Sequence, residues 1–169
     1  MSKLEIRKLN RVVKNIADVF SPPQNMPVSK WADKYRFMSA ENSAESGPWK
    51  TSRTPYLKEI MDAFSDAKVR RIAVVASSQV GKSEMLLNML GYAIASDPGP
   101  AMFVLPTLET AKDFSKRRIA PMIRDCPQLA KKVSDAKSRN SENTMLQKSY
   151  PGGMLTITGA NSPASLASI

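Results

Sequence analysis

Leu9, Val12, Val13, Ile16 and Phe20 recur at helical spacing, with basic residues on the opposite face. The pattern predicts one amphipathic helix over 1–22, ended by Ser21-Pro22-Pro23. No such period runs through 23–55, which is rich in Pro, Ser and Asn and carries Trp31, Tyr35 and Trp49. That stretch reads as an irregular extension laid over the surface, with a short helix near Val28–Tyr35. From Pro55 the helical period returns. Leu57, Ile60, Met61 and Phe64 form an apolar stripe, which predicts a helix over Tyr56–Phe64.

The pattern then changes. Arg71-Ile72-Ala73-Val74-Val75-Ala76 is a short β-branched run with apolar residues on both faces, the expectation for a central parallel strand. Ser77 to Gly81 form a small-residue turn, and Lys82–Ala95 show helical character through Met85, Leu86, Met89, Leu90 and Ile94. Asp97-Pro98-Gly99-Pro100 breaks the chain before a second buried strand, Ala101–Leu105. After Pro106-Thr107 a charged helix runs from Leu108 to about Ile123. Residues 125–143 are polar and read as a loop with a short helix. Thr144–Tyr150 and Met154–Thr158 read as a hairpin across Pro151-Gly152-Gly153. Strand, helix, strand, helix is the order of an α/β fold, a parallel sheet flanked by helices. This places an incomplete α/β domain over 56–169, behind a helical and irregular N-terminal extension.

Composition narrows the chemistry. The 169 residues contain no histidine and one cysteine, Cys126. An internal disulfide is impossible, a zinc site is nearly excluded, and Ser-His or Cys-His nucleophiles are absent. No apolar run approaches the ~20 residues a membrane-spanning helix needs, and the basic N-terminus is not a signal peptide. A reducing cytoplasm fits. The net charge of +10 is concentrated in two places. Residues 1–20 hold five basic and two acidic side chains, and residues 112–148 hold ten and four. Two basic blocks around a neutral centre suggest a polyanion such as nucleic acid, or else solvated faces.

The turn between the predicted strand and helix carries the sharpest signal, Ala76-Ser77-Ser78-Gln79-Val80-Gly81-Lys82-Ser83. The phosphate-binding loop of P-loop NTPases is Gly, four residues, Gly-Lys-Ser/Thr, placed between a strand and a helix. The chain matches at Gly81, Lys82 and Ser83, and Ala76 replaces the first glycine. Such a loop needs backbone N–H groups around the phosphates, a small residue at 81, a lysine for the β- and γ-phosphates and a hydroxyl for Mg²⁺. The plain alternative is a helix start with Ser78 as its cap and a chance lysine.

Beyond that loop lie Ser29-Lys30-Trp31-Ala32-Asp33-Lys34-Tyr35-Arg36, Gly47-Pro48-Trp49-Lys50-Thr51-Ser52-Arg53-Thr54-Pro55-Tyr56, Leu105-Pro106-Thr107, Arg118-Ile119-Ala120-Pro121-Met122 and Thr158-Gly159-Ala160-Asn161-Ser162-Pro163-Ala164-Ser165-Leu166. In this order and spacing the chain resembles the large subunit of tailed-phage DNA-packaging terminases, the lambda-type group. The resemblance implies an ATPase motor that threads double-stranded viral DNA into a procapsid, with a nuclease domain further along. It implies ATP and Mg²⁺ as cofactors, held by Ser77, Ser78, Gln79, Val80, Gly81, Lys82 and Ser83, with Ser83 as the metal residue. Tyr56 would contact adenine or be a core aromatic. Arg53 would touch phosphates or DNA, or simply lie on the surface. Pro106-Thr107 would couple ATP to movement or cap a helix, and Asn161 and Ser162 would sense nucleotide or form a turn. The partners implied are DNA, the small terminase subunit, engaged by the basic N-terminal helix or not, and the portal and procapsid. A homo-oligomeric full-length motor in the host bacterial cytoplasm, without membrane attachment, completes the picture.

Hydrolysis also needs an acidic Mg²⁺ ligand and a carboxylate for the attacking water. No apolar run ending in Asp-Glu follows residue 83. The chain is therefore expected to be the N-terminal part of the ATPase domain, with negligible turnover alone. The rival readings are another nucleic-acid translocase or helicase, and a non-enzymatic DNA- or partner-binding module.

Overall fold

The computed structural model describes residues 26–41, 45–133 and 144–161. The predicted helix over 1–22 and Ser162 lie outside them. Helix α1 is Val28–Tyr35, followed by a two-residue ladder of β1, Phe37–Met38, against β2, Gly47–Pro48. Two 3₁₀ turns, Thr51–Arg53 and Pro55–Leu57, lead into α2, Lys58–Phe64. Helix α3 is Lys82–Ser96, and β3 is Ala101–Leu105. Then α4 (Leu108–Phe114), a π-helical turn (Ser115–Ile119) and α5 (Ala120–Asp125) form one continuous helical stretch. A single-turn α6, Pro127–Ala130, precedes the hairpin of β4, Gln147–Tyr150, and β5, Gly153–Gly159.

Helix α3 is the axis of the core. Leu87, Met89, Leu90, Gly91, Tyr92 and Ile94 are all buried. Trp31 of α1 is fully buried against it, edge-on to Tyr92 with ring centroids 6.5 Å apart. Its Nε1–H donates to Gln128 Oε1 at 2.7 Å, so the indole has both an apolar seat and a partner for its polar edge. Pro27 gives α1 no side-chain cap. Instead the Asp62 carboxylate of α2 accepts from the Ser29 amide at 2.9 Å, an acidic group placed at a helix N-terminus. Within the extension over 23–55, the short helix α1 is thus not laid over the surface but buried. Val28, Trp31 and Ala32 are 0% exposed and belong to the same core as α3. The run of Pro, Ser and Asn hid three buried positions at helical spacing.

The sheet has the order β3-β5-β4. Strand β3 runs parallel to β5, with Phe103 opposite Ile157, and β4 pairs antiparallel with β5. The sheet is thus mixed, where a parallel sheet was expected, because the hairpin across Gly152 supplies an antiparallel partner. Phe103 stacks on Phe114 of α4 at 5.2 Å, which holds that helix on the sheet.

The predicted strand over Arg71–Ala76 does not form. Residues 69–77 have no regular structure, and Val75 is fully exposed. A β-branched run becomes a strand only when another strand takes up its main-chain N–H and C=O groups. Among the described residues, β3, β4 and β5 pair only with one another. Strand β3 is accordingly an edge strand, half-exposed where a buried one was expected. Its residues Ala101–Phe103, with Phe64, Leu86, Met89 and Leu90, line an open groove of 540 Å³.

Gly91 marks the tightest contact of the core. A Cβ there would lie 2.5 Å from Trp31 Cη2 and 2.9 Å from Cζ3. Replacing a mid-helix glycine by alanine ordinarily stabilises by ~1 kcal/mol, whereas overpacking costs about 1–3 kcal/mol. With Trp31 enclosed and hydrogen-bonded, the second effect prevails. Gly91→Ala is expected to lower the urea midpoint, and an unchanged or raised midpoint would show that Trp31 can yield.

Candidate functional site

The turn predicted to carry the chemistry lies at the N-terminus of α3. Gly81 is the N-cap, in the left-handed region at φ +81°. A Cβ at this position would meet Leu57 Cδ1 at 3.3 Å. Only glycine satisfies both the backbone angle and the close approach without strain. Gln79 also has positive φ, +60°, unusual for a residue with a side chain. These two left-handed residues curl the chain between Ala76 and Lys82.

The main-chain donors of this turn are open. Among the described residues, none of the amides of Ser77 to Ser83 donates to a backbone carbonyl. The first regular helical bond is Met85 N–H to Gly81 O at 3.0 Å. Free amides at the start of a fifteen-residue helix, where the helix dipole is positive, are a site for an anion. Lys82 folds back over the turn. Its Nζ donates to Ala76 O at 3.1 Å and to Ser77 O. The ammonium therefore sits inside the curl, where an anion held by the amides would meet it.

Tyr56 reaches the same loop. Its Oη donates to Val80 O at 3.4 Å while the side chain remains 57% exposed. It is therefore no core aromatic. The 3₁₀ turn Pro55–Leu57 serves the loop twice, placing Leu57 under Gly81 and Tyr56 beside Val80. Ser77, Ser78, Gln79 and Ser83 are exposed, and Val80, Gly81 and Lys82 are half-buried. All eight candidate residues come together on one side of the α3 N-terminus.

The other candidates do not join them. Arg53 forms an exposed ion pair with Glu45 at 2.7 Å. The Thr107 hydroxyl accepts from the Thr110 amide at 3.1 Å, so this residue is a helix cap for α4. Asn161 lies in an exposed turn after β5.

One feature escaped the sequence. Glu84, in the first turn of α3, binds two arginines at once. Its Oε2 accepts from Arg36 Nη2 at 3.0 Å, and its Oε1 accepts from Arg118 Nη1 at 3.3 Å. Arg36 is 5% exposed and also donates to Phe37 O at 2.5 Å. Burial pulls the Arg36 guanidinium below its ordinary value, and the neighbouring Glu84 opposes the shift. The only trace in the sequence was an acidic residue directly after the Gly-Lys-Ser triplet.

The family described as "Phage terminase large subunit gpA, ATPase domain" matches residues 43–169. The chain is 29% identical over 154 residues to the terminase large subunit of Escherichia phage lambda, covering 90% of this chain and 24% of the relative. It is 27% identical over 132 residues to the terminase large subunit of Enterobacteria phage P21, covering 78% of this chain and 20% of that relative. The chain thus spans about a quarter or less of the length of these curated relatives. No solved structure matches. A turn of open amides closed by a lysine, inside a match that covers most of the sequence, leads to one conclusion: the chain belongs to the phage terminase large subunit gpA ATPase-domain family.

Proposed function

We propose that residues 76–83 bind the phosphates of ATP, as the nucleotide-binding segment of an ATP-driven motor that packages double-stranded viral DNA into a procapsid. The observation that carries this reading is the turn itself, with no backbone acceptor taking its amides and the Lys82 ammonium folded into it. In this reading the amides from Ser77 to Ser83 surround the phosphates. Lys82 exchanges two carbonyl oxygens for phosphate oxygens, the better partners because they carry full negative charge. Ser83 offers its hydroxyl to the Mg²⁺ that accompanies ATP. Tyr56, exposed and bonded to Val80 O, would stack its ring on the base.

We infer a P-loop NTPase-type fold for the domain over 56–169 from the same turn, into which the run 71–76 leads without forming a strand among the described residues. The parallel pair β3–β5 and the helices around it agree with that architecture. For the whole protein we infer the wider terminase assembly. It comprises DNA cutting by a nuclease domain, the small terminase subunit, the portal, a homo-oligomeric ring and work in the host bacterial cytoplasm. No helix among the described residues is long and apolar enough to cross a membrane. The exposed Lys112, Lys116 and Arg117 give the helical stretch after β3 a basic face suited to DNA phosphates.

Two substitutions test the site on the 169-residue chain. Lys82→Ala is expected to weaken MgATP binding by at least about tenfold, given the ~1.4 kcal/mol per decade of affinity and the strength of charge-assisted hydrogen bonds, as read by calorimetric titration. Equal binding by both proteins would sink the phosphate role and leave a partner-binding module. Gly81→Ala forces a side chain into left-handed backbone and against Leu57. It should weaken binding to a similar degree while the far-ultraviolet circular dichroism is preserved, and unaltered affinity would show that the loop geometry is not what holds the ligand.

A further inference from the structure

Three segments distant in sequence converge on Glu84. Arg36 follows α1, Glu84 opens α3, and Arg118 comes from the π-helical turn. The carboxylate is 15% exposed and each of its oxygens takes one guanidinium. Two residues along a helix turn the direction of a side chain by about 200°. Glu84 and Lys82 therefore leave α3 on opposite sides, the lysine into the turn and the glutamate into the crevice formed with Met38, Ser39, Pro121 and Met122.

This cluster is a poor device for stability. Arg36 is buried, and its Nε lacks a hydrogen-bond partner. Desolvating such a group can cost more than the attraction returns, so the pair is weak evidence for a stabilising role. Its place suits it to positioning instead. A carboxylate in the first turn, free to swing, would compete with phosphates for the same positive helix end. Clamped by two arginines, it is directed away and neutralised. The clamp also ties the first turn of α3 to the end of α1 and to the π-helical turn at once. The π-helical turn contributes by its phase: one extra residue per turn brings Arg118 toward α3, while Lys116 and Arg117 stay outward on the basic face.

We propose that Glu84 is a positioning residue for the phosphate site. By holding Arg36 and Arg118 together it fixes the first turn of α3, and with it the amides of Gly81, Lys82 and Ser83 that receive the anion. The proposal rests on the nucleotide reading given above. It also ties the basic turn 115–119 to the phosphate loop through one side chain, so that removing Arg118 should be felt at the loop.

The test compares the 169-residue chain with Glu84→Gln, Arg118→Met, Arg118→Lys and the double variant Glu84→Gln/Arg118→Met. Arg124→Met serves as a control from the same helical stretch, where the arginine is exposed and pairs with Asp125 and Glu41. MgATP affinity is measured well below each protein's melting midpoint, so that only folded molecules are compared. Glu84→Gln and Arg118→Met should each weaken binding by roughly five- to tenfold, the range of coupled contacts. The double variant should bind no more weakly than Glu84→Gln, and Arg118→Lys should keep most of the affinity. Amide hydrogen exchange at Met85, whose N–H makes the first helical bond to Gly81 O, should quicken in Glu84→Gln and Arg118→Met but not in Arg124→Met. That second readout decides the positioning role even where nucleotide affinity is weak. Unchanged affinity and exchange in Glu84→Gln would overturn the proposal, as would additive losses in the double variant, which would mean that Arg118 touches the ligand directly. If the unsubstituted chain binds MgATP and loses it with Lys82→Ala, those results refute the role of Glu84 alone. If Lys82→Ala changes nothing, the nucleotide reading itself fails.

Discussion

Much of this structure depends on where helix α3 is held. Its middle is buried on nearly every side, and Trp31 sits so close over Gly91 that no other residue fits between them. That contact joins α1 to the core and thereby fixes the segment that delivers Arg36. Because α3 is rigid along its middle, its N-terminus has a defined position. Four amides at the start of a helix have no internal acceptors. Here they are left open and surrounded by a turn that the chain can make only with glycine at 81.

Around that terminus the protein places opposite charges on opposite sides. Lys82 bends into the curl and bonds carbonyl oxygens of Ala76 and Ser77. Glu84 turns away and is neutralised by Arg36 and Arg118. The arrangement gathers main-chain donors and one ammonium at the helix end, with the Glu84 carboxylate engaged elsewhere by two arginines. Leu57 and Tyr56, from one 3₁₀ turn, brace the loop from the side. In the nucleotide reading proposed above, phosphate oxygens would replace the two carbonyl partners of Lys82.

The sheet has a different character. Strand β3 is an edge among the described strands, its outer side bordered by an apolar groove, and Val74 and Val75 before the loop stand exposed beside no strand partner. The turn at 76–83 is supported by the helical half, while Leu155 and Ile157 of β5 join the same core. The sheet positions α4 through the Phe103–Phe114 stack and so carries the basic turn that reaches Glu84.

Local chemistry was readable from the sequence. The Gly-Lys-Ser triplet marked the start of α3, the break at Asp97–Pro100 marked its end, and the hairpin followed from Pro151-Gly152-Gly153 flanked by alternating residues. Helix α1 was legible as a short helix, but its burial was not, because the seat for Trp31 is provided by a glycine sixty residues later. Three matters were decided only in three dimensions. The run 71–76 has strand chemistry, yet a strand exists only through its neighbours, and none of the described strands lies beside it. The approach of Tyr56 to Val80 depends on how a 3₁₀ turn meets a loop 24 residues away. The Arg36–Glu84–Arg118 cluster joins residues 48 and 34 positions apart, and no periodicity encodes such a meeting. Sequence determines conformations whose energetics are local, such as turns, caps and helical stripes. Pairing, burial and charge neutralisation depend on partners that only the packed chain brings within reach.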